Sequence, residues 1–232
     1  MEIDLKGDIV DNATGDFFDW FGMTYVSPKN IEDALKSADG EDVQLNISSN
    51  GGDVFAASEM YTMLKMYSGK VTGIIQGMAA SAATIVAEAC DYLSISPAGQ
   101  MMIHQASNDP GPGNSDDMAH NSTVLNKVDQ TIAGIYVKKT GKSMDQVLDL
   151  MKNETFLTAE EAVREGFADN IMFAEEEAPL VTNSLATQLP AKNKVKEFLS
   201  IIGKSNLKIV NHDKKSVNDD LFLQKLDILK GK

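Results

Sequence analysis

Ser81 is the residue of this chain best placed to do covalent chemistry. It is the one hydroxyl within Gly77-Met78-Ala79-Ala80-Ser81-Ala82-Ala83, with Thr84 following. Small neighbours let a substrate carbonyl approach the serine closely. The peptide lies between an apolar run, Val71 to Gln76, and a helix-like run, Ala82 to Cys90. A serine at a strand-to-helix turn has helix-start amides beside it, where negative charge is favoured. The same peptide also reads as a packing turn with Ser81 as an N-cap.

A serine nucleophile needs a base, and histidine is the usual one. The chain holds three histidines, His104, His120 and His212. His104 ends the run Met101-Met102-Ile103, which suits either a base or a satisfied core histidine. His120 falls among Asn and Ser on a helical stretch, and His212 in a basic tail, so both read as solvated. Asn50-Gly51-Gly52 follows one predicted strand and precedes a predicted helix. Its amides suit an ordinary turn, or half of an oxyanion hole whose other half is the Ala82 amide.

The elements that must hold these residues follow from periodicity. Ile3 to Val10 reads as a strand with a bend at Gly7. Ser27-Pro28 reads as an N-cap followed by proline at the first helical position. Ile31, Ala34, Leu35 and Ala38 continue with helical spacing. Val43 to Ile47 alternates as a strand, and Val54, Ala57, Met60, Tyr61 and Leu64 recur as on a helix. Val71 to Ile75 and Tyr92 to Ser96 are further strands, and Met101 to His104 is a short apolar run. Strands alternating with helices at this pace predict βαβ units and a largely parallel sheet. Asn108 to Asn114 is a loop. A long helix follows, with Met118, Leu125, Val128, Ile132 and Ile135 as its apolar positions, ending near Gly141. Met144 to Met151 is a short helix, Thr158 to Glu161 fits a capping box, and Gly166 suits a helix end.

Length and charge bound the rest. The 232 residues suit one α/β domain with an appendage. The single cysteine, Cys90, permits no internal disulfide and reads as buried packing. No apolar stretch approaches the roughly 18–20 residues of a membrane span, and the start is not a signal peptide, which predicts a cytoplasmic protein. The net charge is −13 but unevenly spread. Residues 1–179 hold 11 Lys and Arg against 29 Asp and Glu, and residues 180–232 hold 10 against 5. An acidic body argues against nucleic acid as a partner.

Four blocks in order then acquire a joint meaning: Asn-Ile-Ser-Ser-Asn-Gly-Gly at 46–52, Gly-Met-Ala-Ala-Ser at 77–81, Met-Met-Ile-His-Gln at 101–105 and Phe-Leu-Thr-Ala-Glu-Glu-Ala at 156–162. With their spacing they resemble the ClpP family of serine peptidases over residues 1–173, and within it the phage and prophage Clp-like head maturation proteases. The resemblance implies an α/β fold of the ClpP/crotonase type, a ββα spiral with a largely parallel sheet. It implies a serine endopeptidase with Ser81 as nucleophile, His104 as base and the amides of Gly52 and Ala82 as the oxyanion hole. The family's acid lies two residues before Phe156, at Glu154, where the usual residue is aspartate; Asp149 is the fallback. It implies no metal and no organic cofactor, a peptide or protein substrate, and seven-membered rings, stacked in pairs through the long helix. The chain begins almost directly at its first strand, which leaves docking to an ATPase ring unsupported, and no phosphate-binding Gly-x-x-x-x-Gly-Lys-Ser/Thr loop occurs.

Residues 174–232 read as a linker, Ala174 to Pro179, and a basic tail with amphipathic candidates at 195–202 and 217–229. A capsid or scaffold protein is the partner expected for it, against a partly disordered extension. Two other functions fit the same fold: a crotonase-type acyl-CoA enzyme, which relies on carboxylates and not on a Ser/His pair, and a catalytically silent ring or assembly factor.

Overall fold

The computed structural model describes residues 1–173, which lie within a compact unit spanning Met1–Ala174. The linker, the tail, its two amphipathic candidates and His212 lie outside the described residues. Fifteen elements follow in order: β1 (Glu2–Ile9), α1 (Asn12–Phe21), β2 (Tyr25–Val26), α2 (Pro28–Ala38), β3 (Val43–Gly52), α3 (Val54–Met66), β4 (Val71–Ala80), α4 (Ala82–Ala87), β5 (Tyr92–Ile95), β6 (Gln100–Ile103), α5 (Ser115–Thr140), α6 (Met144–Lys152), β7 (Thr155–Thr158), α7 (Ala159–Arg164) and β8 (Asn170–Ile171).

The main sheet runs β2-β1-β3-β4-β5-β8 with every pair parallel. Alternation along the strands sends Ile3, Leu5, Val43, Leu45, Ile47, Val71, Ile75, Leu93 and Ile95 into the core. Burying such a side chain contributes roughly 1.5–3 kcal/mol, so this row is a substantial source of stability. Ala57, Met60 and Leu64 of α3 and Ala82, Ala83, Ile85, Val86 and Ala87 of α4 belong to the same cluster.

The ten-residue strand β4 forks, and the fork builds the site. Its first half, Thr72 to Ile75, pairs with β5, while Met78 to Ala80 pair with β6. Between them the register against β3 slips: Ile47 faces Ile75, but Ser49 faces Ala79. Two extra residues of β4 are absorbed there, at Gln76-Gly77, where a bulge bends the strand away from its first neighbours. Strand β6 then carries β7, the one antiparallel partner.

Most expected elements appear at their expected places. Ser27 caps α2 with a capping box to Asn30, and Pro28 opens the helix. Thr158 and Glu161 form their capping box on α7. Asn114 caps α5, whose end is closed by Gly141 at φ 72. Gly7 marks a bulge at φ 83; a Cβ there would lie 2.3 Å from the Thr24 carbonyl oxygen.

Several differences are physical. Asn50 to Gly52 are not a turn but the end of β3, and Gly77 to Ala80 are the end of β4. Glycine- and alanine-rich peptides carry no alternation, yet paired neighbours hold them extended. α4 stops at Ala87, short of Cys90. α1 and β2 have no apolar rhythm to announce them. α1 turns only Phe18 onto Tyr25, at 5.9 Å between rings, and leaves Phe17, Trp20 and Phe21 exposed. Its ends are set by Asp11 accepting from the Thr14 N–H and by Gly22 at φ 65. No helix among the described residues is long and apolar enough to cross a membrane.

Candidate active site

Ser81 is the hinge residue between β4 and α4. Its backbone takes φ 53 and ψ −127, a conformation that costs a non-glycine residue on the order of 1–3 kcal/mol. Neighbours on both sides hold it there. The Ser81 N–H donates to the Met102 carbonyl at 2.8 Å, and the Ser81 carbonyl accepts from the Thr84 N–H at 3.0 Å and from the Thr84 hydroxyl. The side chain makes no capping bond to α4, so the N-cap reading does not hold. Its Oγ lies 2.6 Å from His104 Nε2 instead.

His104 is the first residue beyond β6. The parallel register of β4 and β6 sets Ala80 beside Met102, so Ser81 and His104 leave neighbouring strand ends one residue apart in register. The half-buried imidazole and the serine share a cleft of about 280 Å³, lined also by Gly52, Ala82, Phe55 and Ile132. The Gly51 N–H is occupied by Ser49 Oγ at 3.0 Å. Of the glycine pair it is therefore Gly52 that faces the cleft. Gly52 sits at φ 147, and a Cβ on it would lie 2.1 Å from the Ile9 carbonyl oxygen, so the backbone requires glycine. A hydroxyl on an imidazole is equipped for proton transfer, and the cleft it opens onto is bordered by Gly52 and Ala82.

Glu154 follows from another register. β6 and β7 are antiparallel, with Gln100 opposite Thr158 and Ile103 opposite Thr155. His104 and Glu154 are the residues just beyond the last pair of this ladder. Glu154 takes φ 47 and is exposed. Among the described residues its carboxylate and His104 Nδ1 accept and donate no hydrogen bond. Asp149 lies inside α6, outside this register. His120 is exposed on α5, away from the cleft. No cluster of three or more His, Cys, Asp or Glu among the described residues is arranged to hold a metal ion.

Three residues near the site were not among the site residues expected from the sequence. Thr84 holds the Ser81 carbonyl, Tyr136 Oη lies 2.6 Å from Thr84 Oγ1, and Asp129 Oδ1 accepts from the Ala106 N–H at 2.7 Å. The clue to Asp129 was a carboxylate beside the apolar positions Val128 and Ile132 of the long helix. Phe55 of α3 borders the cleft and is exposed.

Residues 33–175 match the model of one protein family, described as Clp protease. The chain belongs to the Clp protease family. It is 27% identical to the ATP-dependent Clp protease proteolytic subunit 1 of Chlamydia caviae over 183 residues, covering 75% of this chain and 96% of that protein. It is 30% identical to the ATP-dependent Clp protease proteolytic subunit of Streptococcus pneumoniae over 171 residues, covering 72% and 86%. Among solved structures, a point mutant of ClpP1 from Listeria monocytogenes superposes with a TM-score of 0.61 at 20% identity, over 75% of this chain and 92% of that one, and shares the fold. Clp proteases are serine-type peptidases that assemble into rings, and this member is accordingly a hydrolase of that type. The acyl-CoA alternative gives way to this membership.

Proposed function

We propose that the chain is an endopeptidase in which Ser81 is the nucleophile, His104 the general base and Glu154 the acid that orients His104. The observation that carries this reading is the 2.6 Å separation of Ser81 Oγ and His104 Nε2 in an open cleft. In the neutral imidazole with its proton on Nδ1, Nε2 accepts the serine proton as Oγ attacks a peptide carbonyl. The carbonyl oxygen gains the negative charge and takes hydrogen bonds from the Gly52 and Ala82 amides. The imidazolium returns the proton to the leaving amine, the peptide bond breaks, and an acyl-serine remains. A water activated by the same imidazole then releases the acid and restores Ser81. Glu154 suits the third role by its register, and a glutamate stabilises an imidazolium as an aspartate does.

The finer reading is a head maturation protease that processes capsid or scaffold proteins in the cytoplasm of a phage-infected host, as seven-membered rings or ring pairs. The four blocks and their spacing support it, and the basic tail is suited to recruiting an acidic assembly partner. A silent assembly ring is the second reading. It is favoured by the absence of a hydrogen bond between Glu154 and His104. Turnover of a casein-like or capsid-derived peptide, lost in Ser81→Ala and in His104→Ala, supports the protease. No turnover by a wild-type ring supports the silent one.

A further inference from the structure

Helix α5 bonds to residues close in sequence to both members of the proposed catalytic pair, at two points on one face. Asp129 is 4% exposed, one of two carboxylates buried to this degree among the described residues. Its two oxygens accept from the Ala106 N–H at 2.7 Å and from Gln105 Nε2 at 3.1 Å. Those are the two residues that follow His104. The β6 register ends at Ile103, so the sheet does not hold this segment. Seven residues further along α5, Tyr136 meets Thr84. The Thr84 hydroxyl donates to the Ser81 carbonyl, so the Tyr136 hydroxyl donates to Thr84. Positions seven apart share a helix face and lie roughly 10 Å apart along the axis.

We infer that Asp129 is a positioning residue for His104. It fastens the segment after the imidazole to the same rigid helix that holds the serine turn, and so sets the distance between base and nucleophile. The carboxylate is suited to this. It accepts two bonds at once, and the half-buried Ala106 N–H left without it would lose its only protein partner among the described residues. Through α5 the Ser81–His104 separation depends on a helix whose first half, residues 115–127, is exposed at nearly every position. The inference rests on the proposed roles of Ser81 and His104.

The test uses the full chain and a fluorogenic peptide, with kcat and KM measured separately alongside thermal stability. Asp129→Ala is expected to lower kcat about 10- to 100-fold, the cost of misplacing a catalytic group by an ångström or so. KM should stay within about twofold, because Asp129 does not line the cleft. Asp129→Asn keeps a carbonyl oxygen for the Ala106 N–H and should recover kcat to within about threefold of wild type. Ala106→Pro removes the donor while leaving the carboxylate, and is expected to reproduce the kcat loss; it decides the matter if Asp129→Ala does not fold. Wild-type kcat in Asp129→Ala or in Ala106→Pro overturns the inference, as does an Asp129→Asn enzyme no better than Asp129→Ala. Ser81→Ala separates the two levels. Activity surviving there removes the catalytic pair itself, whereas an inactive Ser81→Ala beside a normal Asp129→Ala removes only the positioning role.

Discussion

Ser81 is held at φ 53 by three hydrogen bonds to its backbone, and none of the three involves its hydroxyl. The strain is absorbed by the main chain, and Oγ is left for the imidazole. Taken singly, the serine peptide reads equally as a packing turn and His104 as a core histidine; the pairing was legible from their places in the four family-like blocks. Glu154 was legible only through family likeness; its own neighbours, Asn153 and Thr155, look like any loop. Its role is open to a direct measurement. Glu154→Gln should reduce kcat on the order of 10²–10⁴-fold, with Glu154→Asp far less affected. A glutamine variant at wild-type rate would assign the acid elsewhere. A second residue-scale prediction concerns Glu88, at the end of α4. It is 4% exposed, and neither carboxylate oxygen has a hydrogen-bond partner among the described residues. Burial pushes its pKa well above the usual carboxylate range; Lys139 draws it back, and Asp169 pushes it further. The folded chain therefore keeps a proton that the unfolded chain releases. Stability is greatest below the ordinary carboxylate pKa and falls as pH rises through it toward the raised value. Glu88→Leu should raise the melting temperature at pH 7 by at least about 2–4 °C, the shift roughly 1 kcal/mol produces at this size, with a smaller gain near pH 4. Equal gains at both pH values would contradict the assignment.

At the scale of elements, the fork in β4 does the positioning. One strand shared between two neighbours delivers Ser81 beside His104, and β6 in turn sets His104 against the end of β7. The helices and the four central strands could be read from periodicity because their apolar faces are buried. α1 could not, since its aromatics face outward and Gly15 interrupts it. β8 was too short to show a period, with two residues. The ends of β3 and β4 were hidden because Gly51, Gly52, Ala79 and Ala80 look like turn residues, while their extended form comes from cross-strand partners distant in sequence. Tertiary ties such as Asp129 to Ala106 leave no periodic trace for the same reason. Gly52→Ala tests how closely the end of β3 is specified. Its Cβ would overlap the Ile9 carbonyl, so the strand end must shift and carry the amide with it. A loss in kcat on the order of 10²–10³ is expected, as for removal of one oxyanion donor. A variant that folds with unchanged kcat would remove Gly52 from the oxyanion hole.

Relatives in this family work as rings, and the exposed first half of α5, with Met118 and Val124 on it, is suited to packing against another copy. Native mass spectrometry should give a closed multiple of the 25.1 kDa chain, and Val124→Asp should reduce that multiple by opening a ring pair. A monomeric wild type would count against the assembly. The acidic body and basic tail were plain from the charges alone. The partner of that tail was not, because charge names a class of surface and no more.

The central claim is that Ser81 is the nucleophile, and a covalent label tests it most directly. A fluorophosphonate should modify the wild-type chain, with peptide mapping placing the adduct on Ser81. His104→Ala should label far more slowly, and Ser81→Ala not at all. An adduct on another residue, or equal labelling of wild type and Ser81→Ala, would contradict it.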